Sequence, residues 1–310
     1  MRLGAALACS SVAAAAAAGV DSGFSLGEKN ADGDDHRTAN SIPSSMWRMF
    51  RGQAALCRKM YSAPTAFSTD SPFRWPELDN AVEARRARAA HLEKLSAAAR
   101  YQVWELSRKK HLGEIDEETF QERIAAVKKA VIPKAHALVY GKVGEGASPE
   151  ARAAYLEKYG CVRWTSQAIK EIAKHGPLIE IGAGNGKWKK QLESAGADVV
   201  AYDAGTPGTF FREGINGVKR GNHKALQNHK GEGRALLLVY PPDGPMALDC
   251  LSEYEGEKLI YVGEGVAGCN ADDDFFHELE RSWDVASVIS LDPYPGCHEK
   301  LFILVRKRKA

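Results

Sequence analysis

From residue 178 onward, apolar runs of four to seven residues alternate with segments whose apolar positions recur every three or four. This rhythm predicts strands and amphipathic helices following one another in strict alternation. Strands are expected at 178–182, 198–203, about 217–220, 235–240, 258–263, 285–291 and 300–306, with helices at 186–195, 244–254 and 272–282. The last two strands are joined by Asp292-Pro293-Tyr294-Pro295-Gly296, which leaves no room for a crossover helix. They must pair as an antiparallel hairpin.

Upstream the pattern is helical. Leu92, Leu95, Ala99, Val103 and Leu106 form an apolar stripe within Asn80 to His111, and Phe120, Ile124, Val127 and Val131 form another from Asp116 to Val131. Gly113 supplies the turn between them. The stripes fit a helical hairpin or a cover for the neighbouring domain better than a face for a protein partner, which remains the alternative. Gly141 to Ser148 is rich in glycine and reads as a linker. Pro149 to Tyr159 and Ser166 to His175 read as helices, the second stopped by Gly176-Pro177. The expected organisation is therefore a disordered or targeting segment over 1–75, a helical extension over 76–140 and an α/β domain over 149–310.

The stretch Leu178-Ile179-Glu180-Ile181-Gly182-Ala183-Gly184-Asn185-Gly186 runs from a strand into three alternating glycines, and Val199-Val200-Ala201-Tyr202 ends in Asp203, 17 residues beyond the last glycine. Glycines permit the sharp turn from strand to helix and let a ligand approach bare backbone. The dinucleotide fingerprint requires a glycine at its sixth place, where this chain has Lys187. Glu180 with Gly182, Gly184 and Gly186 instead resembles the class I, Rossmann-like S-adenosylmethionine-dependent methyltransferases. It is also similar to a methyltransferase-like group with Pro-Pro after the fourth strand and Gly-Glu after the fifth, as in Pro241-Pro242 and Gly263-Glu264. This resemblance spans about residues 155–308. It implies an α/β fold with a mostly parallel seven-stranded sheet ending in an antiparallel hairpin, preceded by the helical extension.

Composition narrows the reading further. The chain has 310 residues and a formal charge of +2, enough for a large core and too little charge to demand nucleic acid or an anionic membrane. Six cysteines are scattered without close pairs, which fits neither a disulfide framework nor a zinc site. Met1 to Val20 is Ala-rich with one Arg and no acid, too weakly apolar to span a bilayer. From His36 to Thr69 no acidic residue occurs, while Arg37, Arg48, Arg51, Arg58 and Lys59 lie among Ser, Ala and aromatic residues. That is transit-peptide composition. A mitochondrial address is expected, with a plastid or a cytoplasmic location as alternatives.

The resemblance assigns the cofactor, S-adenosylmethionine, to Glu180, Gly182, Ala183, Gly184, Asn185 and Gly186 around the methionine moiety, Asp203 at the ribose and Asn222 at the adenine. The acceptor side falls on Tyr240, Pro241 and Asp243 after the fourth strand and Glu264 after the fifth. Amino-methyltransferases place Asp, Asn or Ser before the prolines and an aromatic residue after them. Tyr240 and Asp243 depart from that pattern, so amino methylation is not implied, and a wall-shaping role for the prolines stands beside the catalytic one. Glu264 is either an orienting or deprotonating carboxylate or a loop stabiliser. Asp272, Asp273 and Asp274 read as a helix N-terminus, with no metal site expected. His298 lies in the hairpin turn, and Trp164 and Trp188 flank the glycine loop. The basic stretches Lys219 to Arg234 and Arg306 to Lys309 read as solvated. The function implied is methyl transfer to an unknown small molecule, protein or RNA. The alternatives are an inactive methyltransferase-like assembly subunit and, third, an NAD-dependent oxidoreductase.

Overall fold

The computed structural model describes residues 67–141, 147–206 and 211–308. The expected targeting features before residue 67 and most of the glycine-rich linker lie outside the described residues. Four helices come first: α1 (Pro76–His111), α2 (Glu117–Tyr140), α3 (Pro149–Tyr159) and α4 (Ser166–Ala173). The α/β part follows as β1 (Leu178–Ile181), α5 (Lys187–Ser194), β2 (Val199–Asp203), β3 (Lys219–Arg220), β4 (Ala235–Val239), α6 (Met246–Glu253), β5 (Lys258–Gly263), α7 (Asp273–Ser282), β6 (Trp283–Ser290) and β7 (Lys300–Arg306). Two 3₁₀ segments, Ile215–Gly217 and His223–His229, flank β3.

Local chemistry sets the helix boundaries. Asp116, Ser148, Thr165 and Asp272 each cap a helix by accepting the N–H of the residue three places on. The Asp272 to Asp274 run is thus a helix start, as its position suggested. Pro76 and Pro149 open α1 and α3, where a missing N–H costs nothing.

The sheet runs in the order β3-β2-β1-β4-β5-β7-β6. β1 to β5 are parallel, and β7 inserts antiparallel between β5 and β6. This is a Rossmann-like α/β sheet with the antiparallel C-terminal hairpin that the short Pro-Gly connection required. One face packs Ile179, Leu236, Leu238, Tyr261 and Phe302 against α6 and α7. The other packs Leu178, Leu237, Ile260 and Ile303 against α4 and α5.

Two features depart from the sequence expectation. Helix α2 continues nine residues past Val131 through Pro133, because Ile132, Ala135, His136, Val139 and Tyr140 are buried. Lys129 and Pro133 are both exposed, so the carbonyl left without its N–H faces water. Second, residues 67–75, assigned above to the leader, belong to the core: Phe67, Phe73 and Trp75 are buried against Phe276 and Phe302. The extension's apolar stripe is used within the chain, as its spacing suggested. α1 and α2 pair as a hairpin, and Leu92 packs with Ala135, Val139, Tyr140, Cys269, Tyr294 and Cys297 over the ends of the strands. None of the described helices is long and apolar enough to cross a membrane.

Candidate functional site

β1 and β4 are hydrogen-bonded neighbours in the middle of the sheet, and the chain leaves them toward opposite sides, to β2 and to β5. Such a reversal opens a crevice at the carboxyl ends of the two strands. The glycine loop forms one wall. Gly182, Gly184 and Gly186 have φ of 82°, 57° and 70°, and a Cβ at Gly186 would come within 2.6 Å of Val218. No other residue fits that position. Asn216 braces the same loop by donating its Nδ2–H to the Asn185 carbonyl at 2.6 Å. The N–H groups of Gly182 and Ala183 both bond to the Tyr202 carbonyl, at 2.8 and 3.0 Å.

Asp203 is drawn into this loop by the register of β1 on β2, which sets Ile181 beside Tyr202. Its Oδ2 accepts the Gly184 N–H and its Oδ1 the Gly205 N–H, each at 2.8 Å. A carboxylate has about four acceptor positions, so each oxygen keeps one. Glu180 lies one layer deeper. It is buried, and its Oε2 has no hydrogen-bond partner. Burial raises its pKa to about 8, with Asp203 adding to the rise and the Lys189 ammonium opposing it. A buried carboxyl without a donor is costly to leave so. It is suited to an ammonium or N–H group brought by a ligand.

Asn222, expected at an adenine ring, is exposed and accepts the Lys224 N–H at 3.1 Å as the cap of the His223–His229 turn. The acceptor atom of its side chain is engaged by the cap.

The acceptor side is more tightly tied than expected. Tyr240 sits at the end of β4 with φ of 51°, a strained conformation of the kind that clusters at binding and catalytic sites. Its hydroxyl meets the Cys269 sulfur at 3.1 Å, and burial raises the phenol pKa well above its usual value. The Pro241 carbonyl, which would hold an acceptor amine in an amino-methyltransferase, accepts from Asn270 Nδ2 at 3.0 Å and from the Ala271 N–H. Asp243 is half-buried in the turn before α6, with an interaction of its own.

Glu264 is fully buried, and its carboxylate is saturated. It takes two bonds of 2.8 Å from Arg85, one of 3.0 Å from the Cys269 N–H and one of 3.0 Å from the His298 N–H. Burial alone would raise its pKa, but Arg85 overrides this and holds it down at about 2. Such a group stays ionised and has no free lone pair for a substrate proton. The loop-stabilising reading of Glu264 is the one this geometry supports.

Sequence reasoning missed Arg85, Arg152, Asn270 and Glu299. Arg152 in α3 lies 4.8 to 5.4 Å from the ring centres of Tyr140, Tyr155 and Tyr294. Its Nε and Nη1 have no acceptor, and neither oxygen of Glu299 has a donor. Burial pushes the Glu299 pKa up to about 8, and the Glu264 charge adds to it. On the page of sequence, Arg152 looked like one more charge on a helix. The one available signal for Glu299 was a carboxylate immediately before the apolar run 301–305.

No protein-family model matches the chain, and no curated protein does. Among solved structures, the chain is similar to an S-adenosylmethionine-dependent methyltransferase from Agrobacterium tumefaciens at 14% identity and a TM-score of 0.27, covering 53% of this chain and 64% of that one. It thus spans less than two thirds of that structure's length. It is also similar to the mitomycin 7-O-methyltransferase MmcR, at 11% identity and a TM-score of 0.32 over 97% of this chain and 95% of the other. A mutant form of MtNAS matches at 14% identity and a TM-score of 0.32, covering 86% and 100%. Likenesses this loose carry no weight for function. The sheet order and the site geometry stand on their own.

Proposed function

We propose that the chain binds S-adenosylmethionine in the crevice between β1 and β4 and transfers its methyl group to an acceptor. The observation that carries this reading is the unpartnered, buried Glu180 carboxyl oxygen beside a loop of three left-handed glycines. Glu180 would accept the methionine ammonium, the glycine loop would lie along the methionine backbone, and the remaining lone pairs of Asp203 would take ribose hydroxyls. Asn222 is left out of this set, because its carbonyl is engaged by the cap. When bound, the cofactor supplies a methyl group on a sulfonium. The protein's task is then to hold donor and acceptor in line and to exclude water.

Calorimetric titration with S-adenosylmethionine, S-adenosylhomocysteine and NAD tests the cofactor. Saturable binding of the first two supports the reading, and binding of NAD alone replaces it with an oxidoreductase. A second reading, an assembly subunit without turnover, draws on one observation: the Pro241 carbonyl and the Glu264 carboxylate are both bonded within the protein. Labelled methyl transfer into cell extract, sorted into protein, RNA and small-molecule fractions, separates the two. A mitochondrial site of action rests on the composition of 36–69, and sequencing the mature N-terminus tests it.

A further inference from the structure

An arginine and a glutamate are buried beside the crevice without the hydrogen bonds that burial demands. Arg152 is 3% exposed and Glu299 is 2% exposed. Nε and Nη1 of the first and both oxygens of the second are unpartnered, so the two are not bonded to each other. Native interiors leave few such atoms unmatched. Each nonetheless lies within electrostatic reach of the other and of Tyr240, which stands at the end of β4 next to the glycine-loop strand.

The surroundings define what could satisfy these atoms. Tyr140 from α2, Tyr155 from α3 and Tyr294 from the hairpin turn surround the guanidinium with rings. Tyr294 is itself fixed by His136 at 2.9 Å and the Ser148 carbonyl at 3.0 Å. A guanidinium held by aromatic faces is rigid and poorly hydrated, the state in which it binds carboxylate or phosphate well. A group reaching atoms this buried must be a small molecule rather than the body of a macromolecule.

Resting on the cofactor reading above, we propose that Arg152 and Glu299 form the recognition site for the methyl acceptor, a small molecule bearing an anionic carboxylate or phosphate and a hydrogen-bond donor. Arg152 takes the anion and Glu299 the O–H or N–H. The helical extension supplies Tyr140, one of the three rings around Arg152, which gives that extension a role in acceptor selection.

The test titrates benzoate, phenyl phosphate, neutral benzamide and the three monohydroxybenzoates into the full chain, with and without S-adenosylhomocysteine. Saturable binding of either anion, with benzamide at least about tenfold weaker, is expected. Whether benzoate or phenyl phosphate binds tighter identifies the anion. Arg152→Met should weaken the anion about tenfold or more while leaving S-adenosylhomocysteine affinity unchanged. Should that variant not fold, Arg152→Lys keeps the charge but loses the fork, and wild-type anion affinity in it overturns the proposal. The best hydroxybenzoate should bind several-fold tighter than benzoate, and Glu299→Met, which removes the acceptor, should erase that advantage. Equal affinities in the wild type remove Glu299 from the site. A protein that binds S-adenosylhomocysteine but no anion refutes the acceptor site alone. One that binds the anion without S-adenosylhomocysteine refutes the cofactor reading alone.

Discussion

Arg85 of α1 and Glu264 after β5, 179 residues apart, form a two-pronged ion pair at 2.8 Å with both side chains buried. Arg85 also donates to the Gly296 carbonyl in the β6–β7 turn, and Glu264 gathers the Cys269 and His298 N–H groups. One pair thus ties the helical extension to two loops at the functional edge. Removing either partner strands a buried charge. Arg85→Met is expected to cost about 3–5 kcal/mol in urea unfolding. Replacing both members with Met should recover much of that loss, since the stranded charge is then gone. A loss below about 1 kcal/mol in the single variant would show that the pair does not hold the extension.

Gly265 makes the same junction through its lack of a side chain. A Cβ there would lie 1.9 Å from the Phe73 carbonyl oxygen and 2.8 Å from the Trp75 ring, and the Val266 N–H bonds that same oxygen at 2.9 Å. The clash is with backbone, which cannot swing aside as a flexible side chain would. Gly265→Ala is predicted to destabilise by about 1–3 kcal/mol and to raise protease cleavage before residue 76. Wild-type stability in this variant would mean that 67–75 does not dock on the loop.

The glycine loop, the alternating strands and the closing hairpin were legible because each is local: a period of two, a period near four, or a turn too short for a helix. Pro149–Tyr159 was read to the residue because Ser148, Pro149 and Gly160 mark its ends. What escaped depends on distant neighbours. Pro133 is a helix breaker unless the residues beyond it are buried by another element, as Ile132 to Tyr140 are. Phe67, Phe73 and Trp75 have no periodicity, so only their docking on Phe276 and Phe302 reveals them as core. Glu264 was open to either an acceptor-facing or a loop-stabilising role, because a carboxylate flanked by glycines at a strand end suits both, and nothing in its own sequence indicates Arg85. Arg152 is indistinguishable in sequence from a solvated helix charge.

The buried carboxylates give stability opposing dependences on pH. Glu264 is ionised in the folded state down to about 2, against 4.5 for an ordinary glutamate. Its contribution is complete above 4.5 and is lost as pH falls toward 2. Glu180 and Glu299 do the reverse: the folded state keeps their protons up to about 8, the unfolded chain only to 4.5. Their burial therefore destabilises increasingly as pH rises from 4.5 to about 8. The ligand-free protein should melt at its highest temperature near pH 5, roughly where neither effect is large. Glu180→Gln and Glu299→Gln should each flatten the alkaline side of a Tm profile taken by scanning calorimetry. An unchanged slope in both variants would show that these carboxyls are ionised in the fold.

Asp203 offers the sharpest separation of scaffold from ligand site, because its two oxygens each hold one backbone N–H and each retain a free lone pair. Asp203→Ala removes both roles together, and the loss of the Gly184 and Gly205 bonds should cost about 1–3 kcal/mol of stability. Asp203→Asn divides them. Its carbonyl can still accept one loop N–H, while its amide group puts donors where a ribose hydroxyl needs an acceptor. The alanine variant is expected to lose S-adenosylhomocysteine affinity by about tenfold or more. The asparagine variant should lose a comparable amount of affinity with a smaller drop in Tm. If affinity instead tracks Tm across both variants, Asp203 acts on the cofactor only by shaping the glycine loop, and the ribose is held by other groups.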